Sequence, residues 1–344
     1  MWEQSWCEFN EVELNPKNYL INGVTLSTRQ KTTGFFVLFV CAVFSGIIFF
    51  LDHSDTDVRN QLDGSFVFYE SFPSESVSSR PVDIWLPEGY HANTNDRYPV
   101  IYMHDGQLLF DKKTSPYAKF WYRPFGWYIG GMFWEVDKTM SLLIREKKIR
   151  PAIVVSIWFI PNRRGAEFMP QKPITMVETG LEHIGDSDVT PDDVISDNYL
   201  KFVTEELKPF VDKNFRTLTD RDNTFVMGSS MGGSISAYAI SEYPDIFGGA
   251  ACLSTDWTHG KGAEIDWYEQ HWPKGGKHRL YFDYGTETHD APFEPYQNRM
   301  DNVLRQHGYI EGEDWVTKKF DGADHSPMAW RERLHIPLTF LLSN

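Results

Sequence analysis

Five apolar runs constrain this chain more than any other feature: PVIYMH (99–104), AIVVSIW (152–158), TFVMG (224–228), GAACLS (249–254) and RLYFDYG (279–285). A strand with one wet face alternates apolar and polar residues. These runs barely alternate, so both faces must be covered, as they are in a parallel sheet. Between them lie helix-compatible stretches, Phe133–Lys148, Asp197–Asn214, Ser230–Tyr243 and Pro295–His307. Two earlier runs, FVFYESF (66–72) and VDIWLP (82–87), read as an antiparallel pair; WVTKKF (315–320) reads as a last strand and Met328–Leu342 as a closing helix. Strands alternating with helices predict a doubly wound α/β architecture, a mostly parallel central sheet with helices on both faces. Residues 159–195, rich in Pro, Gly and charge, break that rhythm and read as an insertion over the site.

The N-terminal part has a different character. Residues 35–51, FFVLFVCAVFSGIIFFL, carry no charge, and at about 1.5 Å per residue they sit at the short limit for crossing a bilayer core of about 30 Å. Arg29 and Lys31 precede the run, and Asp52, Asp55 and Asp57 follow it. That asymmetry places the N-terminus in the cytoplasm and the rest on the extracytoplasmic side. A cleaved secretory signal is the alternative, but Val43-Phe44-Ser45 is a poor cut site, so an uncleaved anchor is expected. The expected organisation is a polar tail over 1–34, a transmembrane helix over 35–51, a linker over 52–64 and one catalytic domain over 65–344. At about 150 residues per domain, 344 residues would suggest two domains; the tail, anchor and linker account for the difference.

Charge and cysteine content exclude other classes. With 33 basic against 48 acidic residues, a net −15, the chain repels phosphate backbones, and nucleic acid is not an expected partner. Cys7, Cys41 and Cys252 are too few and too scattered for a disulfide scaffold or a cysteine-based zinc site.

The chemistry centres on Gly228-Ser229-Ser230-Met231-Gly232-Gly233. A bare G-x-S-x-G is common, but here a strand-like run precedes it and the helix-like SISAYAISEYP follows. A strand-to-helix turn this tight holds the central serine, Ser230, in a strained conformation with Oγ exposed at the sheet edge; Ser229 has a hydroxyl too, but its neighbour occupies the apex. A base and an acid should follow in the order Ser, Asp/Glu, His. His325, in GADHSPMAW between the last strand and last helix, is the expected base, because His307 and His335 fall in helix-like stretches and His289 lies too early. The acid should follow RLYFDYG, where Glu287 and Asp290 both qualify and spacing does not separate them. One oxyanion donor is the amide of Met231, after the nucleophile. The other is the amide of Gln107 in HDGQ, where Gly106 lets the backbone approach the substrate. His104 and Asp105 lack the companion residues of a metal site, and neither metal nor cofactor is expected.

DIWLPEGY, YPVIYMHDGQLLFD, FVMGSSMGG, YPDIFGGAACLS, YFDYGTETHD and FDGADHSPMAW occur in this order over roughly residues 66–342. Together they resemble the putative esterase family of the α/β-hydrolase superfamily, which includes esterase D, feruloyl esterases and enterochelin-type siderophore esterases. The resemblance implies an α/β-hydrolase fold, with Ser230 as nucleophile and His325 as base. It favours Asp290 over Glu287 as the acid, since A-P-F-E-P-Y follows, although one or two extra residues separate Gly285 from it. The implied activity is hydrolysis of a carbohydrate, phenolic or siderophore-type ester through an acyl-enzyme. Acyl transfer by the same residues, or a catalytically silent binding module, are the alternatives. The aromatic run WYRPFGWYIGGMFW (121–134) and Trp158 are candidates to line a cleft for sugars or phenolic acyl groups, against the plainer account that they pack beneath loops. Arg163 and Arg164 are read as solvated charges in preference to anion holders.

Overall fold

All eight expected strands form, and they form one sheet: β1 (Ser65–Phe72), β2 (Arg80–Leu86), β3 (Val100–Met103), β4 (Ile153–Ile157), β5 (Thr224–Ser229), β6 (Gly249–Leu253), β7 (Arg279–Gly285) and β8 (Trp315–Phe320). The computed structural model describes residues 63–116, 132–176 and 189–343, which lie in one compact unit, Val58–Asn344. The polar tail, the apolar run 35–51, linker residues 52–62 and most of the aromatic run (121–131) lie outside the described residues. Among the described residues no helix is long and apolar enough to cross a membrane.

The strand order is β1-β2-β4-β3-β5-β6-β7-β8. β2 runs antiparallel to β1 and β4, and every other neighbouring pair is parallel. Both faces are covered, as the unbroken apolar runs require. Ile101, Met103, Phe225, Met227 and Tyr281 pack with Met140, Leu143 and Leu338 on one face. Their neighbours Val100, Tyr102, Val226, Leu280 and Phe282 pack with Tyr199, Ile235, Tyr268 and Met300 on the other. Period-two alternation therefore survives as a division between two cores.

The sheet order reverses at β3, with β4 on one side and β5 on the other. Such a switch point opens a crevice at the carboxyl ends of the strands. The loop after β3 and the turn after β5 are thus neighbours, and the loops after β6, β7 and β8 line up beside them.

Helices form over Val136–Arg145, Met231–Glu242 and Phe293–Gln306, each within a few residues of expectation. Three departures have identifiable causes. The stretch from Ser196 to Asn214 carries a π-helical turn, Phe202–Leu207, ahead of Pro209, whose missing N–H interrupts the ladder. The closing helix is two helices, Pro327–Arg333 and His335–Leu342. Pro337 cannot donate to the carbonyl of Arg333 four residues back, and its ring crowds that carbonyl. Helix Ala263–His271 was not anticipated, because its buried Glu264 obscures the apolar pattern. The irregular segment 159–195 contains the short helices Arg164–Phe168 and Gln171–Thr175. A fully buried pair of hydrogen bonds, Arg80 Nη1 and Nη2 to Glu167 at 2.7 Å each, moors it to β2.

Candidate active site

Ser230 follows the last residue of β5 and precedes helix Met231–Glu242, with φ 58° and ψ −127°. This backbone conformation costs a non-glycine residue about 1–3 kcal/mol and persists only where the surroundings enforce it. The turn is closed by a contact that permits no side chain: a Cβ on Gly228 would lie 2.5 Å from the carbonyl oxygen of Gly232. Ser230 N–H donates to Leu253 O at 2.9 Å, which fixes the turn to β6. Ser229, by contrast, is the buried end of the strand. Ser230 is partly exposed.

The loop after β3 packs against this turn. His104 N–H donates to Met227 O at 3.0 Å, and Gly232 lies close to the Asp105 carboxylate. Gln107 sits in the short 3₁₀ turn Gly106–Leu108 and Met231 opens its helix, so neither amide has an intrahelical acceptor. Both are therefore placed in first turns on adjacent loops, where N–H groups and the helix dipole favour negative charge. The Gln107 side chain turns away and accepts from Phe159 N–H at 3.2 Å. Gly106 lies against Ser156 and Trp158, with no room for a Cβ. The Trp158 indole donates to Asp83 at 2.7 Å, and with Phe68, Phe110, Asp111 and Thr114 it lines a recess behind this loop.

Of the two candidate acids, Glu287 is exposed and Asp290 is buried. Asp290 Oδ1 lies 2.5 Å from His325 Nδ1. Asp290 Oδ2 accepts from the Gly285 amide and from Ser254 Oγ, both at 2.6 Å. Burial pushes the Asp290 pKa up, but these donors outweigh it and hold the carboxyl below its ordinary range. An ionised Asp290 fixes the His325 tautomer with the proton on Nδ1, leaving Nε2 as an acceptor. His325 is held by its backbone as well. Its N–H donates to Thr288 Oγ1 at 2.9 Å, while Thr286 and Glu287 N–H both donate to Ala323 O at 3.0 Å. The loops after β7 and β8 are thereby stapled together, and Trp330 packs edge-on against the imidazole, 5.0 Å between centroids.

His307 ends one helix and His335 opens another, as expected. His289 lies nearer than expected, its ring 4.9 Å from that of His325 and its Nε2 2.8 Å from Asp256 Oδ2. Arg163 is exposed. The reading of Arg164 as a solvated charge is corrected: it makes two 2.7 Å contacts with Asp105 and donates to Ser229 O at 3.3 Å. Its partner is 59 residues away, so local spacing could not reveal it. His104 is buried, with Nδ1 2.8 Å from Tyr199 OH. Burial, with the Arg164 charge adding to it, lowers its pKa to about 3, so the ring is neutral. Among the described residues no cluster of His, Cys, Asp and Glu could hold a metal ion.

Sequence reasoning missed Ser254, Asp283 and Arg333. Asp283 did carry a signal, being the lone carboxylate inside a strand buried on both faces, where a charge demands a partner. That partner is Arg333, with Nη2 2.9 Å from Oδ1 and Nε 3.1 Å from Oδ2.

The fold has known counterparts. A ferulic acid esterase structure matches 81% of this chain and 98% of its own length, with TM-score 0.56 and 16% identity. The enterobactin esterase FES of Shigella flexneri matches 81% of this chain and 59% of its own length, with TM-score 0.56 and 18% identity. An IroE-like serine hydrolase from Shewanella oneidensis gives TM-score 0.57 at 16% identity over 81% and 80%. At these identities the likeness is one of fold. In sequence, an endo-1,4-beta-xylanase/feruloyl esterase of Xylanibacter ruminicola is 27% identical over 188 residues, which is 54% of this chain and 21% of that longer protein. The protein YbbA of Bacillus subtilis is 19% identical over 217 residues, 63% of this chain and 72% of YbbA. The family model described as "Putative esterase" matches residues 75–339, nearly the whole sheet and all the loops above it, and the chain therefore belongs to the putative esterase family of ester hydrolases.

Proposed function

We propose that the protein is a serine esterase working through Ser230, His325 and Asp290, on a carbohydrate, phenolic or siderophore-type ester. The conformation of Ser230 carries this reading. A non-glycine residue at φ 58°, ψ −127° on a strand-to-helix turn is retained strain, and the loops after β7 and β8 at the same sheet edge carry a paired His325 and buried Asp290. His325 Nε2 takes the Ser230 Oγ proton as Oγ attacks the ester carbonyl. The amides of Met231 and Gln107 receive the oxyanion, each worth about 10²–10³ in turnover. The imidazolium returns its proton to the leaving alkoxide, which departs as the alcohol. A water then attacks the acyl-enzyme, giving its proton to His325, and Ser230 recovers a proton as the acid leaves. No hydrogen bond joins Ser230 Oγ to His325 among the described residues, and such bonds commonly tighten only once substrate is bound.

The phenolic and siderophore classes are favoured by relatives whose names record feruloyl and enterobactin esterases. The test is covalent labelling by a fluorophosphonate together with hydrolysis of p-nitrophenyl acetate. Both should disappear in Ser230→Ala, and undiminished hydrolysis would refute the assignment. A panel of acetyl, feruloyl and catecholate esters then ranks the substrate classes. The apolar run 35–51 and the charges around it support an anchored enzyme with its site on the extracytoplasmic side. Retention of the chain in the membrane pellet after alkaline carbonate extraction tests that placement.

A further inference from the structure

Ser254 ends up at the centre of a buried network that the three-residue catalytic scheme does not use. It follows β6, is fully buried, and has φ 41°. Three polar groups converge on its hydroxyl: Asp290 Oδ2 at 2.6 Å, Arg333 Nη2 at 2.8 Å and Trp330 Nε1 at 2.9 Å. An indole N–H and a guanidinium can only donate. Both lone-pair directions of Ser254 Oγ are therefore taken by donors, and its single proton must go to Asp290. The orientation of this hydroxyl is dictated by its partners.

The donors are themselves fixed. Arg333 is held from below by both oxygens of Asp283, and Asp283 Oδ1 also accepts from the Ser254 amide at 3.1 Å. Tyr281 OH donates to Asp283 Oδ2 at 3.0 Å. The order is Asp283, Arg333, Ser254 and Asp290, all buried, ending on the partly exposed His325. A guanidinium donating to a hydroxyl polarises it and strengthens the bond it gives in turn.

We propose that Ser254, oriented by the Arg333–Asp283 ion pair, is a positioning residue for catalysis: it holds Asp290 ionised and aims its other oxygen at His325. The assignment rests on the esterase reading above. The backbone of Ser254 supports it independently. A buried position at positive φ favours glycine, and serine there is strain retained for its hydroxyl. The hydroxyl also moderates the carboxylate. By sharing the charge on Asp290 it limits how far that charge favours imidazolium, so its loss should make protonation of His325 easier. The other ionisable groups around His325 are His289, 4.9 Å away, with Asp256 behind it, and the partly exposed Asp324 one residue before it.

The experiment compares Ser254→Ala and Ser254→Gly with wild type in the full chain, measuring p-nitrophenyl acetate hydrolysis against pH alongside thermal unfolding. Glycine removes the hydroxyl and relieves the φ strain, so it tests the idea even if the alanine variant does not fold. A hydrogen bond to a charged group should make kcat fall by about ten- to a hundredfold. KM should be little changed, and the acidic limb of the kcat/KM profile should move to higher pH. Unchanged kcat and acidic limb in a folded variant overturn the proposal. So does a fall in kcat with the limb unmoved, since that marks a scaffold alone. Ser230→Ala, run in parallel, separates the two claims: if it stays active, the catalytic reading fails, whereas if it is dead and Ser254→Gly behaves as wild type, only the role of Ser254 fails.

Discussion

Asp105 and Arg164 form a two-point ion pair, Nε to Oδ1 and Nη2 to Oδ2, each at 2.7 Å, between the loop after β3 and the segment after β4. Arg164 also reaches Ser229 O at 3.3 Å. One guanidinium thus connects the loop bearing Gln107, the strand end bearing Ser230 and the irregular segment 159–195. Asp105 is itself at φ 58°, so the pair also stabilises a strained turn.

Replacing Arg164 with Met should leave Asp105 buried and unpaired. A fully buried pair broken on one side costs about 3–5 kcal/mol. Here 23% of the Arg164 side chain is exposed, so about 2–3 kcal/mol is expected after allowance for solvent screening. Denaturant unfolding measures it. The double variant Asp105→Asn/Arg164→Met should recover part of the loss, since no uncompensated charge remains. Strict additivity would show that the pair contributes nothing.

Ser230→Gly and Ser230→Ala should both be inactive but unequal in stability. Glycine adopts φ 58° without penalty and alanine does not. Ser230→Gly should therefore be more stable than Ser230→Ala by about 1–2 kcal/mol, part of the cost expected of a strained backbone. Equal midpoints in thermal unfolding would mean that the turn relaxes around the substitution.

The strands were legible because a sheet covered on both faces leaves unbroken apolar runs, and RLYFDYG or TFVMG can be read one segment at a time. His325 could be singled out in the same segment-by-segment way, as the only late histidine outside a helix-like stretch, and the structure pairs it with Asp290. Asp290 and Glu287 could not be separated by counting, because a three-residue difference in a loop carries no direction. The 3₁₀ turn Thr288–Asp290 points Asp290 inward and leaves Glu287 outside, a difference of direction that spacing does not carry. Arg164 and Ser254 were invisible for a deeper reason. Their partners lie 59 and 36 residues away in sequence, and only the winding of the sheet brings those positions together.

Gly106→Ala should impair catalysis through the backbone. The added Cβ would sit 2.5 Å from Ser156 Oγ and Trp158 Cδ1 and 2.8 Å from the carbonyl carbon of Ile157. Backbone cannot swing aside, so the loop must move and take the Gln107 amide with it. Overpacking of this kind costs about 1–3 kcal/mol in stability. Loss of one oxyanion donor lowers kcat by about 10²–10³. The fall should appear in kcat far more than in KM for a short ester, where little substrate binding energy depends on this loop. A change confined to KM would remove Gln107 from the oxyanion site.

His104 should make the protein acid-sensitive. Burial, reinforced by Arg164, pushes its pKa to about 3, whereas a histidine in the unfolded chain titrates near 6.5. Between those values the unfolded chain binds a proton that the folded one refuses. Stability contributed by neutral His104 is therefore complete above about pH 6.5 and declines on acidification, at about 1.4 kcal/mol per pH unit. Asp137 acts in the opposite sense: burial raises its carboxyl to about 6, so its folded form gains protons first. Comparison with His104→Gln, which can keep a hydrogen bond to Tyr199, cancels that contribution. From pH 7 to pH 5, wild type should lose about 2 kcal/mol relative to the variant in denaturant unfolding. Parallel pH curves would mean that the folded protein accommodates a charged ring, and that the His104–Tyr199 contact opens to water on acidification.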